Sequence, residues 1–125
     1  MTTGPAGGYR DLEVYKLAHA LALDAHHLSL RLPAFEQYET GTQLRRASKS
    51  ISANLVEGYG RKRYPADFTH FLVVALASCD ETAEWLRYVG ECHPAFDADA
   101  AALLERLEGI GRRLHRLIAA VAPRP

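Results

Sequence analysis

The chain carries no net charge. Fifteen basic and fifteen acidic side chains cancel, so no whole-molecule field draws it toward nucleic acid or anionic lipid. Cysteine is scarce: Cys79 and Cys92 are the only two, neither belongs to a CxxC pair, and two isolated thiols make no disulfide framework. Long hydrophobic runs are missing as well. The longest strongly apolar one, Phe71 to Ala77, falls far short of the roughly 20 residues that cross a bilayer. The opening Met1-Thr-Thr-Gly-Pro-Ala-Gly-Gly8 has neither the charged start nor the apolar stretch of a secretory signal. These absences lead us to expect a cytoplasmic protein without a membrane segment, whose electrostatic functions arise only from local clustering.

Catalytic and metal signatures are lacking too. His26 and His27 are adjacent, so on a helix they point about 100° apart and cannot chelate from one face. Cys92-His93 has no matching second pair, and no HExxH or Cys₂His₂ spacing occurs. Di-iron bundles use Glu-x-x-His pairs, but no histidine here follows a glutamate by three residues. There is no GxSxG and no phosphate loop of the GxxxxGK[ST] type. Cys79 sits on an apolar seam, as an inert packed thiol would. We therefore expect no enzyme, no cofactor and no metal.

What the sequence does hold is helical periodicity. Its 125 residues, 48% apolar and 24% charged, suit one globular domain. After a Gly-rich tail over 1–8, expected to be disordered, four helices are predicted at about 11–32, 40–59, 65–90 and 97–121. The first shows Val14, Ala18, Leu21, Ala25, Leu28 and Leu32 stepping by four and three, a seam that packs helices at shallow angles. A second stripe runs through Leu12, Tyr15, His19, Leu23, His26 and Leu30. Pro33 ends this helix, and a loop through Phe35 and Tyr38 follows. The second helix presents Leu44, Ala47 or Ser48, Ile51 and Leu55 and stops at Gly58-Tyr-Gly60, where glycine supplies the left-handed closing conformation. Pro65 suits the first position of the third helix, which carries Phe68, Leu72, Ala75, Cys79, Thr82, Leu86 and Val89. Beside that seam lie Phe71, Val74, Ser78, Trp85 and Tyr88. Gly90 and Pro94 end it. The fourth helix opens at Asp97 as N-cap and carries Leu103, Leu107, Ile110, Leu114, Leu117 and Val121. Short connections then give an all-α, antiparallel up-down-up-down four-helix bundle over residues 9–122.

Charge is unevenly spread within the zero total. Residues 43–63 carry six basic side chains against Glu57 alone, a net of +5. Residues 64–92 carry five acidic side chains against Arg87, a net of −4. One reading has a basic second helix exchanging ion pairs with an acidic third helix. The sharper reading makes Arg61-Lys-Arg63, with Arg45 and Lys49, a phosphate-contacting patch.

The second helix also bears a polar line. Gln43, Arg46, Ser50, Asn54 and Glu57 step by three, four, four and three and fall within an arc of roughly 80°. Amide, hydroxyl and ionic groups in one row suggest a structural ladder that meets partners such as Ser78 and Glu81 and fixes helix register. The run Gln43-Leu-Arg-Arg-Ala-Ser-Lys-Ser-Ile-Ser-Ala-Asn-Leu-Val-Glu-Gly58 closely resembles the signature of the 23S ribosomal RNA intervening-sequence proteins. The flanks agree: Asp11-Leu-Glu-Val-Tyr-Lys16, Leu32-Pro33 with Glu36, Asp67-Phe-Thr-His-Phe-Leu72 and Ala77-Ser-Cys-Asp-Glu81 resemble the corresponding parts of that family, over about residues 9–121.

The resemblance implies a four-helix fold, a homo-oligomer of pentameric form and no assigned enzymatic activity. More distantly, the chain resembles the accessory proteins of diversity-generating retroelements, strongly basic oligomers that bind polymerase and nucleic acid; the zero net charge departs from them. Two-stripe helices fit self-assembly independently, since a ring must bury a second stripe against its neighbours. We accordingly expect His19, His26, Trp85 or Tyr88 near a subunit interface. The expected role is an oligomeric scaffold for a protein partner, with RNA or DNA binding through the repeated 61–63 turn as the alternative.

Overall fold

A computed structural model describes residues 8–124. Apart from Gly8, the tail expected over 1–8 lies outside the described residues. The chain forms α1 (Glu13–Leu30), the five-residue α2 (Ala34–Tyr38), α3 (Thr40–Tyr59), α4 (Pro65–Cys92) and α5 (Asp97–Val121), with 3₁₀ turns at Tyr9–Asp11 and Pro94–Phe96. The long helices make an antiparallel up-down-up-down four-helix bundle, in which α1, α3, α4 and α5 follow one another around the axis.

The four-three seams form the core. Val14, Ala18, Leu21, Ala25, Leu28 and Leu32 are all buried, as are Phe68, Leu72, Ala75, Cys79, Thr82, Leu86 and Val89 of α4. Leu44, Ile51 and Leu55 of α3 and Ile110 and Leu114 of α5 close it. Each large side chain buried in this way contributes about 1.5–3 kcal/mol. The α1–α5 seam is the loosest, tied by Arg106 to Asp24 at 2.7 Å and Arg31 to Asp99 at 3.2 Å.

Helix boundaries depart from expectation in four places, each for a packing or capping reason. The segment after Pro33 is not a plain loop but α2, because Gln37 Nε2 donates to the Leu30 and Leu32 carbonyls at 2.9 and 2.8 Å. It thereby satisfies the orphan carbonyls that close α1. Gly58 does not stop α3 through a left-handed conformation. It lies buried inside the helix, where a β-carbon would come within 3.0 Å of Phe71 and 3.2 Å of Phe68. Gly60, the C-cap, is right-handed at φ −64°; the chain leaves the helix through a turn, and Tyr64 is extended ahead of Pro65. Gly90 is likewise buried within α4, which runs on to Cys92. Asp97 is the first helical residue of α5 rather than its N-cap; with Asp99 it complements the helix dipole.

One end of the bundle therefore gathers α2, the starts of α3 and α5 and the ends of α1 and α4. The opposite end carries the basic turn after α3. These are the strapped end and the turn end.

Candidate interaction surfaces

The polar line of α3 runs along its seam with α4, and the structure wires only its middle. Ser50 and Ser78 share a hydroxyl hydrogen bond of 2.8 Å. Asn54 Nδ2 donates to the Ser50 carbonyl at 2.8 Å and to its hydroxyl at 3.0 Å. Glu57 instead holds Arg61, one turn on, at 3.0 Å. Gln43 and Arg46 have no side-chain partner among the described residues. Glu81 accepts from Trp85 Nε1 at 3.2 Å rather than from the ladder. The row is a surface seam with a three-residue clasp, because a helix edge beside a groove stays half in solvent.

The five expected phosphate contacts do not form one patch. Arg45 lies at the strapped end, about 24 Å along α3 from Arg61 at 1.5 Å per residue. Its guanidinium turns inward, donating to Ser29 Oγ at 2.7 Å and to the Gln37 carbonyl at 2.9 Å. At the turn end Arg61 reaches Asp67 at 3.9 Å and lies over the Phe71 ring. It makes the only ion pair between the α3 segment and α4 among the described residues, so the expected exchange between a basic and an acidic helix is nearly absent. Lys62 sits over Tyr59, 4.1 Å from the ring centroid. Lys49 and Arg63 are exposed without an ion-pair partner among the described residues.

The four expected interface residues divide between the two edges of α3. Trp85 and Tyr88 stand 5.7 Å apart on the α4 side, with Tyr88 46% exposed. On the α1 side, His19 is exposed and meets Tyr15 Oη at 3.3 Å. His26 is half-buried, and its Nδ1 is buried without a hydrogen-bond partner among the described residues. Burial first, then the cations Lys49, His27 and Arg45, holds its imidazole below the ordinary 6.5.

Two features carry no local sequence signal. Glu36, 6% exposed, accepts from His93 Nε2 at 2.7 Å and from the Thr40 hydroxyl at 2.9 Å. The His93 bond outweighs the cost of burial and holds the carboxyl below its ordinary 4.5. The two residues are 57 positions apart, so only the fold brings them together. The other feature is a groove of about 660 Å³ between α4 and α5. Cys79 lies at its base, where burial and then Asp80 push the thiol up to about 12, so it stays protonated and unreactive at neutral pH. Among the described residues no three His, Cys, Asp or Glu side chains cluster as metal ligands, and no helix is long and apolar enough to cross a membrane.

A family model described as 23S rRNA-intervening sequence protein matches residues 10–116. None of the curated proteins matches this chain.

Proposed function

We propose that this chain, which belongs to the 23S rRNA-intervening sequence protein family, is a non-enzymatic scaffold of the cytoplasm. It assembles with copies of itself, as a pentamer, and offers a protein partner the same surface several times over. The observation that carries this reading is the pair of part-exposed stripes on either side of α3. Trp85 and Tyr88 border one edge, and Tyr15, His19, Leu23 and His26 border the other. A bundle acting alone needs one buried stripe per helix, whereas burying a second stripe against a neighbour yields about 25 cal/mol per Å² of apolar surface. Repetition then raises the affinity for a multivalent partner without any new contact. Native mass spectrometry should give a multiple of the single-chain mass at micromolar concentration. A monomer there would remove the reading.

A second reading has the assembly bind RNA or DNA through the turn end. Lys62 and Arg63 are exposed there, and a ring would repeat them. Fluorescence anisotropy of a labelled structured RNA, titrated across a salt series, tests it. Binding that falls steeply with salt and is lost in the triple alanine variant of Arg61, Lys62 and Arg63 would establish it. No binding at low salt would discard it.

A further inference from the structure

The outward face of α3 and the α4/α5 groove match one another. The face is a ridge bearing Glu39, Arg46, Lys49 and Glu57, all exposed, with Ala53 and the half-buried Val56 between them. The groove has an apolar floor of Leu76, Ala83, Leu104 and Gly111, where two small residues deepen it. Its walls carry Arg87 toward the strapped end, then Glu105, Asp80 and Glu108, then Arg112 and His115 toward the turn end. The ridge thus runs acidic, basic, acidic, and the groove runs basic, acidic, basic.

The heights agree as well as the signs. The Ser50–Ser78 hydrogen bond and the Arg61–Asp67 pair set α3 against α4, so Arg46 stands level with Thr82 and Lys49 with Cys79. A β-carbon on Gly90 would lie 3.5 Å from Ala100, and one on Gly111 would lie 4.0 Å from Leu76. That sets α4 against α5, with Glu105 level with Ala83 and Glu108 with Asp80. In the centre and at the strapped end, opposite charges on ridge and groove therefore stand at the same height along the bundle to within about two residues, roughly 3 Å. At the turn end Glu57 stands about five residues, roughly 7 Å, from the level of Arg112. Glu57 and Arg87 already have neighbours of opposite sign in Arg61 and Glu84, so the central match carries the argument. There, Arg46, Lys49, Asp80, Glu105 and Glu108 are all exposed, and none has an ion-pair partner among the described residues.

We propose that the α3 ridge of one copy seats in the α4/α5 groove of a second copy of this chain. This rests on the self-assembly reading above and names the two surfaces that meet. Ridge and groove are different surfaces, so the contact is head-to-tail. A head-to-tail contact without axial displacement closes into a ring when its rotation divides the full turn, whereas one with displacement climbs into a filament. His26 and Trp85, flanking α3, fall at the rim of the contact. Its apolar centre supplies the burial, and the charges supply register and partner choice.

Charge reversal tests this by native mass spectrometry, with circular dichroism as the check on folding. Arg46→Glu with Lys49→Glu should weaken assembly at least tenfold while keeping helical content, and so should Asp80→Lys with Glu108→Lys. The four changes together should restore the wild-type mass. In the wild-type protein, a zero-length carbodiimide cross-link should join Lys49 of one copy to Asp80 or Glu108 of another, a readout that needs no variant. A monomeric wild type would overturn both the self-assembly reading and this one. An oligomeric wild type whose double variants keep their mass, or whose fourfold variant stays dissociated, would overturn the ridge-in-groove contact alone and leave self-assembly standing.

Discussion

At the strapped end, Glu36 and His93 meet at 2.7 Å away from solvent, across 57 residues of sequence. At the turn end, Arg61 finds Glu57 four residues away at 3.0 Å and Asp67 at 3.9 Å, with all three side chains about half exposed. The chemistry of the pairs is alike, yet solvent gives them different weight. Water screens the turn-end pairs to between 0 and about 1 kcal/mol each. The strapped-end pair lies where an unpaired charge is costly, and Thr40, Gln37, Arg45 and Ser29 add hydrogen bonds around it. The first end is bound into the fold, and the second keeps its cations accessible.

The contrast can be broken most sharply at His93. Changing His93→Ala leaves a buried carboxylate short of its donor and should cost about 2–3 kcal/mol in urea unfolding. A cost under about 0.5 kcal/mol would show that the strap is solvated like the turn.

Acid should separate the same region in two stages. His26 lies below its ordinary 6.5, so the folded chain binds fewer protons there than the unfolded one, and stability falls as pH drops below 6.5. Glu36 lies below its ordinary 4.5, so its contribution is complete above that pH and is lost as pH falls through the depressed value. His26→Gln should remove the earlier loss and Glu36→Gln the later one, as followed by thermal melts across pH. A profile unchanged in both variants would contradict the assignments.

Asn54→Leu, in the seam between the two ends, should cost about 1 kcal/mol by removing two hydrogen bonds to Ser50. If it abolished partner binding in an intact, equally stable assembly, the clasp would be a contact site and not a structural one. The smallest effect belongs to the turn. Arg61→Ala should change stability by less than about 1 kcal/mol, and less still at high salt. A larger loss would make the turn a structural element like the strap.

The core was legible because burial repeats locally. Every residue of the α1 and α4 seams read from four-three spacing is buried, and the α5 line is buried through Leu114. The polar line was legible as a line and Ser78 as one of its partners, as the Ser50–Ser78 bond shows. Glu81, the other expected partner, turns instead to Trp85 on its own helix, and Glu57 turns to Arg61 one turn on. Arg45 shows the same limit. Its charge suited a phosphate contact, and its neighbour Ser29, on another helix, draws it inward. Gly58 read as a stop because glycine often ends helices. Here its missing side chain lets Phe68 and Phe71 approach α3.

The sequence by itself determined that this chain is helical, where its four long helices run and which stripe of each turns inward, since these follow from periodicity within one element. Only the tertiary structure decided the strap between Glu36 and His93, the scatter of the basic residues and the groove between α4 and α5. These depend on distances between elements far apart in the chain, which residue spacing within a helix does not encode.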